Sequence, residues 1–339
     1  MHGAEVVERA RSLADDVLFP AALATDAADT VPVRLLDALA DAGLYGLTAP
    51  RSCGGLQADA ATVHAVVEAL AGGCLTTTFV WTQHLGAARA ACLAAGGVQA
   101  WGPRLARGER RAGVAFAHLR RPGPPSVTAA PDGAGGWVLR GEAPWVTGWG
   151  RIDVVHTAAV HGDDVVWSLV DATPSATLSA ARLRLAAVDA SATVVVRLDG
   201  HRVPADRVTV VEPLADWLAR DALGLRTNGS LALGVAARAC SLLGPSAFDD
   251  GVRAARAALD AADPAERAAA RAAASTVAVH ATAALVAAGG GRAIVRDHDA
   301  QRLAREALFL LVQGQTPAIR AAQARALSGG HPGPVTPGP

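Results

Sequence analysis

His84, His118 and Glu306 are the titratable side chains placed where they could do chemistry in this 339-residue chain. An imidazole can take or give a proton near neutral pH, and a carboxylate becomes a useful base once it is desolvated. His84 lies within the nearly apolar run Leu75 to Ala95, where a lone histidine is more often a satisfied core residue than a reactive one. Glu306 stands four residues after Arg302, a spacing that offers an ion pair on one helix face. His118 follows the short β-rich run Val114 to Ala117. These spacings do not single out a catalytic residue, and the base is left open.

Composition removes several alternatives. The 31 basic residues are all arginine and balance 31 acidic ones, so no lysine Schiff base can form. No net field marks nucleic acid or an anionic membrane surface as a partner. Cys53, Cys74, Cys92 and Cys240 are widely spaced and have no histidine company, which excludes a zinc site and reads as four indifferent thiols in a reducing compartment. Asp15-Asp16, Asp163-Asp164 and Asp249-Asp250 read as surface or turn pairs, and no metal is expected. No basic-then-apolar leader and no membrane-length apolar run is visible, so a soluble cytoplasmic protein is expected.

The elements that must position these side chains fall into three blocks. Residues 1–108 read as helices. Pro32 opens one of them, Asp59 caps Ala60 to Ala71, and Leu75 to Ala95 is apolar enough to be central in a bundle. Residues 109–210 carry short β-rich runs at Val114 to Ala117, Trp137 to Arg140, Val154 to Val160, Val165 to Val170 and Thr193 to Leu198, separated by turn signals. Residues 211–328 return to Ala/Arg/Leu-rich helical patterns at Ser230 to Leu243, Ala254 to Ala262, Pro264 to Ala288 and Asp299 to Ala326. Residues 329–339 are rich in Gly and Pro and read as a disordered tail. The expected fold class is α+β: a helical domain, an antiparallel β-barrel or sandwich, and a helical bundle.

Four motifs occur in order along this framework: Gly43-Leu44-Tyr45-Gly46 through Pro50 and Gly54-Gly55; Gly141 through Trp145-Val146-Thr147; Val203-Pro204-Ala205; and Arg302, Arg305, Glu306 with Gln313-Gly314-Gln315-Thr316. Together they resemble the acyl-CoA dehydrogenase family over roughly residues 32–328, with a shortened C-terminal domain. The resemblance implies FAD as cofactor, held by Phe116, His118, Trp145, Thr147, Gln313, Gly314 and Thr316. It implies α,β-dehydrogenation of an acyl thioester carried by CoA or an acyl-carrier protein, in lipid or secondary metabolism. It also implies a homo-oligomer, or a hetero-oligomer with a second acyl-CoA dehydrogenase subunit.

Several positions depart from the family pattern. The family's glutamate base falls at Gln313 or at Gly314, depending on register. The other position used in the family, within Gly224 to Asn228, also has no acid. Gln is no base at neutral pH, although it can hydrogen-bond a carbonyl. The segment that supplies an Arg to the flavin pyrophosphate reads Leu243 to Phe248, without that Arg. The loop over the flavin reads Phe116 to Gly123, in which Arg120 and Arg121 either line a solvated loop or meet a phosphate. Three readings therefore stand: a dehydrogenase acting alone or as one subunit of a heteromer, a flavin monooxygenase or oxidase on the same fold, and a catalytically silent partner subunit.

Overall fold

A computed structural model describes residues 3–121, 123–221 and 224–328. The tail expected from Gly329 onward lies outside the described residues, as does Pro122 of the expected flavin loop. The chain begins with helices α1 (Gly3–Leu13), α2 (Phe19–Asp26), α3 (Val33–Asp41), α4 (Ala60–Gly73), α5 (Leu75–Leu93) and α6 (Gly102–Ala106). The Asp59 carboxylate accepts the Thr62 N–H at 2.8 Å and caps α4. Pro32 precedes α3 with a fixed φ of −57°, as a helix entry requires. Helix α5 buries Trp81 completely and is enclosed along most of its length, which explains its nearly all-apolar sequence.

Strands β1 (Ala112–Ala115), β2 (Val127–Pro131), β3 (Trp137–Val146), β4 (Val154–His161), β5 (Asp164–Asp171), β6 (Leu178–Arg182), β7 (Val194–Val203) and β8 (Val208–Pro213) form one eight-stranded sheet. Its order is β6-β7-β3-β2-β4-β5-β8, with β1 paired to β4. The pairing is antiparallel except along β4, where β1 runs parallel beside Val154–Thr157 and β2 touches Val160 in parallel. Strands β4 and β5 are buried at nearly every position and read as continuous apolar runs. Strands β2, β6 and β8 are short and were not legible in the sequence.

Helices α7 (Leu214–Asp221), α8 (Leu225–Leu243), α9 (Ala247–Ala261), α10 (Arg267–Gly289), α11 (Asp299–Val312) and α12 (Pro317–Leu327) complete the chain. The segment expected as helix from Asp299 to Ala326 is broken at Gly314, whose φ of +63° is the left-handed conformation that ends a helix. Helix α8 crosses α4 closely at Gly234. A Cβ there would stand 2.2 Å from the Glu68 carbonyl oxygen, so only glycine allows this approach. The first core joins the N-terminal helices to α8, α10 and α11, and a second lies between the faces of the sheet. The stretch Arg267–Ile294 is long and apolar enough to cross a bilayer by length and composition, and it packs here against α8, α9, α11 and α12.

The expectation of four free thiols is corrected. Cys53 and Cys92 form a disulfide across 39 residues, with Cα atoms 6.0 Å apart, and tie the turn after α3 to the end of α5. Cys74 and Cys240 are free and buried. Among the described residues no cluster of His, Cys, Asp or Glu could hold a metal ion. Trp81 is core, whereas Trp101 is half-buried beneath the Arg207 guanidinium, 4.2 Å from its ring centroid.

Candidate functional site

Trp145 is delivered by an irregularity in β3. The β3–β7 register passes from Ala143↔Val196 to Val146↔Val194, so one extra residue is inserted at Pro144-Trp145. Proline has no N–H for the ladder, and Trp145 takes a φ of +63°, rare for a non-glycine residue. Such a bulge re-aims a side chain. The indole is 47% exposed, an unusual outcome for so large an apolar ring.

Two residues on, Thr147 is buried, and its hydroxyl meets that of Thr193 at 3.1 Å, which in turn meets that of Ser191 at 2.8 Å. Three hydroxyl protons serve two bonds, so one of the three hydroxyls has a proton to donate elsewhere. The next residue, Gly148, abuts Val80 of α5.

Helix α5 links this region to the far end of the site. Phe79, beside Val80, stacks edge-on against Phe309 of α11 with ring centroids 5.1 Å apart. Phe309 is one turn before Gln313, whose N–H it accepts. At the turn that follows, the Gln313 amide nitrogen donates to Asn228 Oδ1 at 3.3 Å. Gln313 and Asn228 belong to the two places where the resemblance would put a base. The structure brings them together as a hydrogen-bonded pair of amides.

A Cβ on Gly314 would lie 2.9 Å from Asn228 Nδ2 and 3.7 Å from Arg120 Nη1, so the Arg120 turn belongs to the same place. Arg120 stacks on Phe116 at 4.8 Å and makes a bidentate pair with Asp221. Phe116 packs with Trp167 and Trp217. Thr316 caps α12 by accepting the Ile319 N–H at 3.3 Å, so its hydroxyl oxygen is already engaged.

The three titratable candidates take other places. His84 is buried; its Nδ1 accepts the Ala112 N–H and its Nε2 donates to the Leu105 carbonyl, both at 3.0 Å. Both ring nitrogens are thus used to join α5 to α6 and β1, and burial holds the ring neutral, with its pKa lowered to about 4. Glu306 is 2% exposed, with both oxygens on Arg302 at 2.9 and 3.0 Å, the pairing its spacing implied. Burial pushes that carboxyl up and the guanidinium opposes it. Neither side chain reaches the Gln313–Asn228 pair.

His118 is 3% exposed beside β4. The Ala158 carbonyl is nearby, yet neither ring nitrogen makes a well-formed hydrogen bond. Burial again lowers its pKa to about 4. Sequence reasoning missed Thr193, Asp221 and Arg271 as neighbours of the site, because each acts through a residue far away in the chain.

Two cavities lie apart from this constellation. One of about 690 Å³ runs between α1, α4, α8 and α9, and one of about 500 Å³ lies by Asp37, Arg111 and Asp153. The arginines of the first are already paired: Arg226 with Asp260, Arg238 with Asp15 and Arg256 with Glu68.

No curated protein sequence matches the chain. Among solved structures it is similar to butyryl-CoA dehydrogenase from Megasphaera elsdenii, with a TM-score of 0.81 at 16% identity over 96% of this chain and 98% of that one. It is similar to a glutaryl-CoA dehydrogenase from Mycobacterium smegmatis in complex with FADH2, with a TM-score of 0.80 at 17% identity over 96% and 94% of the two chains. It is also similar to a dibenzothiophene monooxygenase from Paenibacillus, with a TM-score of 0.77 at 18% identity over 97% and 98%. At these identities the likeness is one of fold. Residues 3–109 match the family model described as acyl-CoA dehydrogenase, N-terminal domain. Over residues 3–109 the chain thus matches the N-terminal domain of acyl-CoA dehydrogenases, and its helix–sheet–helix architecture as a whole is the acyl-CoA dehydrogenase fold.

Proposed function

We propose that the chain is a flavin-binding oxidoreductase subunit that takes part in α,β-dehydrogenation of an acyl thioester, within an oligomer that completes its site. The observation that carries this is the bulge at Pro144-Trp145. It sets an exposed indole two residues from a hydroxyl chain with a proton to spare. A flat conjugated ring needs an aromatic wall and a donor at its edge, and both are present. FAD is the cofactor proposed; when bound, it supplies the hydride acceptor.

The phosphate end fits less well. The segment Leu243 to Phe248 leads into a capping box between Ser246 and Asp249, and Asp249 and Asp250 occupy the first turn of α9. Two carboxylates there disfavour a pyrophosphate, so a partner subunit is assigned that contact. A partner is also favoured by the exposed Leu308 and Val312 on α11 and Ile294 and Val295 in the turn before it.

The chain's own residues supply positioning rather than proton removal. Gln313 and Asn228 are neutral amides, and the nearby Asp221 carboxylate is held by Arg120. The α-proton is therefore assigned to a group of the partner. Amides in place of an acid also favour a second reading, reduced-flavin oxygen chemistry on the same fold.

The test is purification alone and together with any second acyl-CoA dehydrogenase-like subunit found encoded beside it. Flavin content, light scattering and anaerobic bleaching of the visible flavin band by butyryl-CoA would be recorded. Bleaching by the complex but not by the single chain supports the proposal. Robust bleaching by the single chain overturns the partner-supplied base, and oxygen consumption with reduced flavin in place of bleaching moves the assignment to the second reading.

A further inference from the structure

Arg271 of α10 is 1% exposed and, among the described residues, has no carboxylate partner. Its Nη1 donates to Ser275 Oγ and its Nη2 to the Leu310 carbonyl at 3.0 Å, with longer contacts of 3.5 Å to the Gln313 carbonyl and to Gln313 Oε1. These carbonyls lie at the C-terminal end of α11, the negative pole of that helix, which is why a buried guanidinium is tolerated there. Its Nε has no partner, and burial lowers its pKa to about 10.

The orientation of the two amides follows from Arg271. A guanidinium only donates, so the Gln313 side chain must turn its oxygen toward Arg271 and its NH₂ away. That NH₂ reaches Asn228, which must then present its own oxygen to Gln313. The Asn228 NH₂ is left facing Gly314, whose Cβ position would lie 2.9 Å from Nδ2. Arg120 Nη1 lies 3.7 Å from the same Cβ position, and the Asp221 pair uses Nε and Nη2 of that guanidinium, not Nη1. Each hydrogen bond in such a series polarises the next, so part of the Arg271 charge is expressed at Asn228 Nδ2.

We propose that the series Arg271–Gln313–Asn228 ends in an oxygen-binding site, shared with Arg120, for a carboxylate or for the carbonyl oxygen of an acyl group. The place of an amide at position 313 is then explained. A glutamate there would take the Arg271 charge for itself and break the series. The site rests on the proposed function only in taking the oxygen to be that of an acyl substrate.

Nuclear magnetic resonance of the full-length, nitrogen-labelled protein tests it, with acetate as probe and chloride at equal ionic strength as control. The side-chain amide signals are assigned with Asn228→Leu and Gln313→Leu, and flavin content is recorded separately, so loss of cofactor is not confused with loss of this site. Acetate is expected to shift the Asn228 amide saturably, and Gln313→Leu and Arg271→Met to weaken that binding by about tenfold each. Because Arg271→Met removes a buried group and can fail to fold, the half-buried Gln313→Leu is the deciding variant. Unchanged acetate affinity in folded Gln313→Leu overturns the series. An Asn228 amide that does not respond to acetate, or that responds equally to chloride, overturns the site.

Discussion

Arg120 and Asp221, 101 residues apart, are joined by two hydrogen bonds of 2.6 Å, and each side chain is only 17% exposed. This pair fastens α7 to the turn after β1. No residue of α7 is fully buried; the other contacts that hold it are the half-buried Leu214 and Trp217, the Leu214 N–H on the Asp163 carbonyl and the exposed Arg220–Glu212 pair. Asp221→Asn is therefore expected to open α7 locally, raising tryptic cleavage after Arg220 by roughly tenfold while the melting temperature moves little. Cleavage at the wild-type rate would show that these other contacts are sufficient.

Trp145 combines a strained backbone with an exposed ring. Glycine relieves left-handed strain of about 1 kcal/mol or more. Trp145→Gly is thus expected to melt at or above the wild-type temperature, and Trp145→Ala slightly below it. Both should lose flavin if the indole walls the ring, which absorbance of the purified variants would read. Full flavin retention in both removes Trp145 from the cofactor site.

Gln313→Glu would place a carboxylate beside Arg271 Nη2. An opposite charge favours the ionised form, so the folded pKa of this glutamate should fall below its unfolded value near 4.3. The added stability is then present above about pH 4.3 and is lost as pH falls through the folded pKa. The variant is expected to melt above wild type at pH 7 and to lose that advantage in acid. It should gain little as a base, since a carboxylate so paired holds protons weakly. Strong flavin bleaching by acyl-CoA in this variant would contradict the pairing.

His84, His118 and His156 are each held near pKa 4 by burial, below the unfolded value of about 6.5. Their neutral forms stabilise the fold above pH 6.5, and that stability is lost as pH falls toward 4. Unfolding near pH 5 should take up about two to three protons from these groups and up to about one more from His64, whose pKa burial also lowers to about 4. Calorimetry in buffers of different ionisation enthalpy measures this directly, and an uptake near zero would place the imidazoles in solvent.

The Cys53–Cys92 bond closes a loop of 39 residues, a constraint worth up to about 4 kcal/mol in the unfolded chain. Denatured but unreduced protein should show two reactive thiols, from Cys74 and Cys240, and four after reduction. Reduction should also lower the melting temperature. Four thiols without reduction would mean that the pair is open.

The sequence by itself determined the order of helical and β-rich blocks, the Asp59 cap, the central place of α5 and the Arg302–Glu306 pair. Each of these depends on residues close together in the chain, where periodicity and turn chemistry act directly. It also placed an amide rather than an acid at Gln313 and in the stretch ending at Asn228. The short strands β2 and β6, reading VTAAP and LSAAR, escaped notice because their alanines and polar residues acquire strand character only beside β3 and β7. Only the tertiary structure decided that Gln313 lies on Asn228, 85 residues away, with Arg271 behind it. The same holds for the disulfide and for the hydroxyl series behind Thr147. Hydrogen bonds between distant residues leave no local pattern; they exist because helix and strand packing brings their backbones within reach, and that reach is a property of the assembled core.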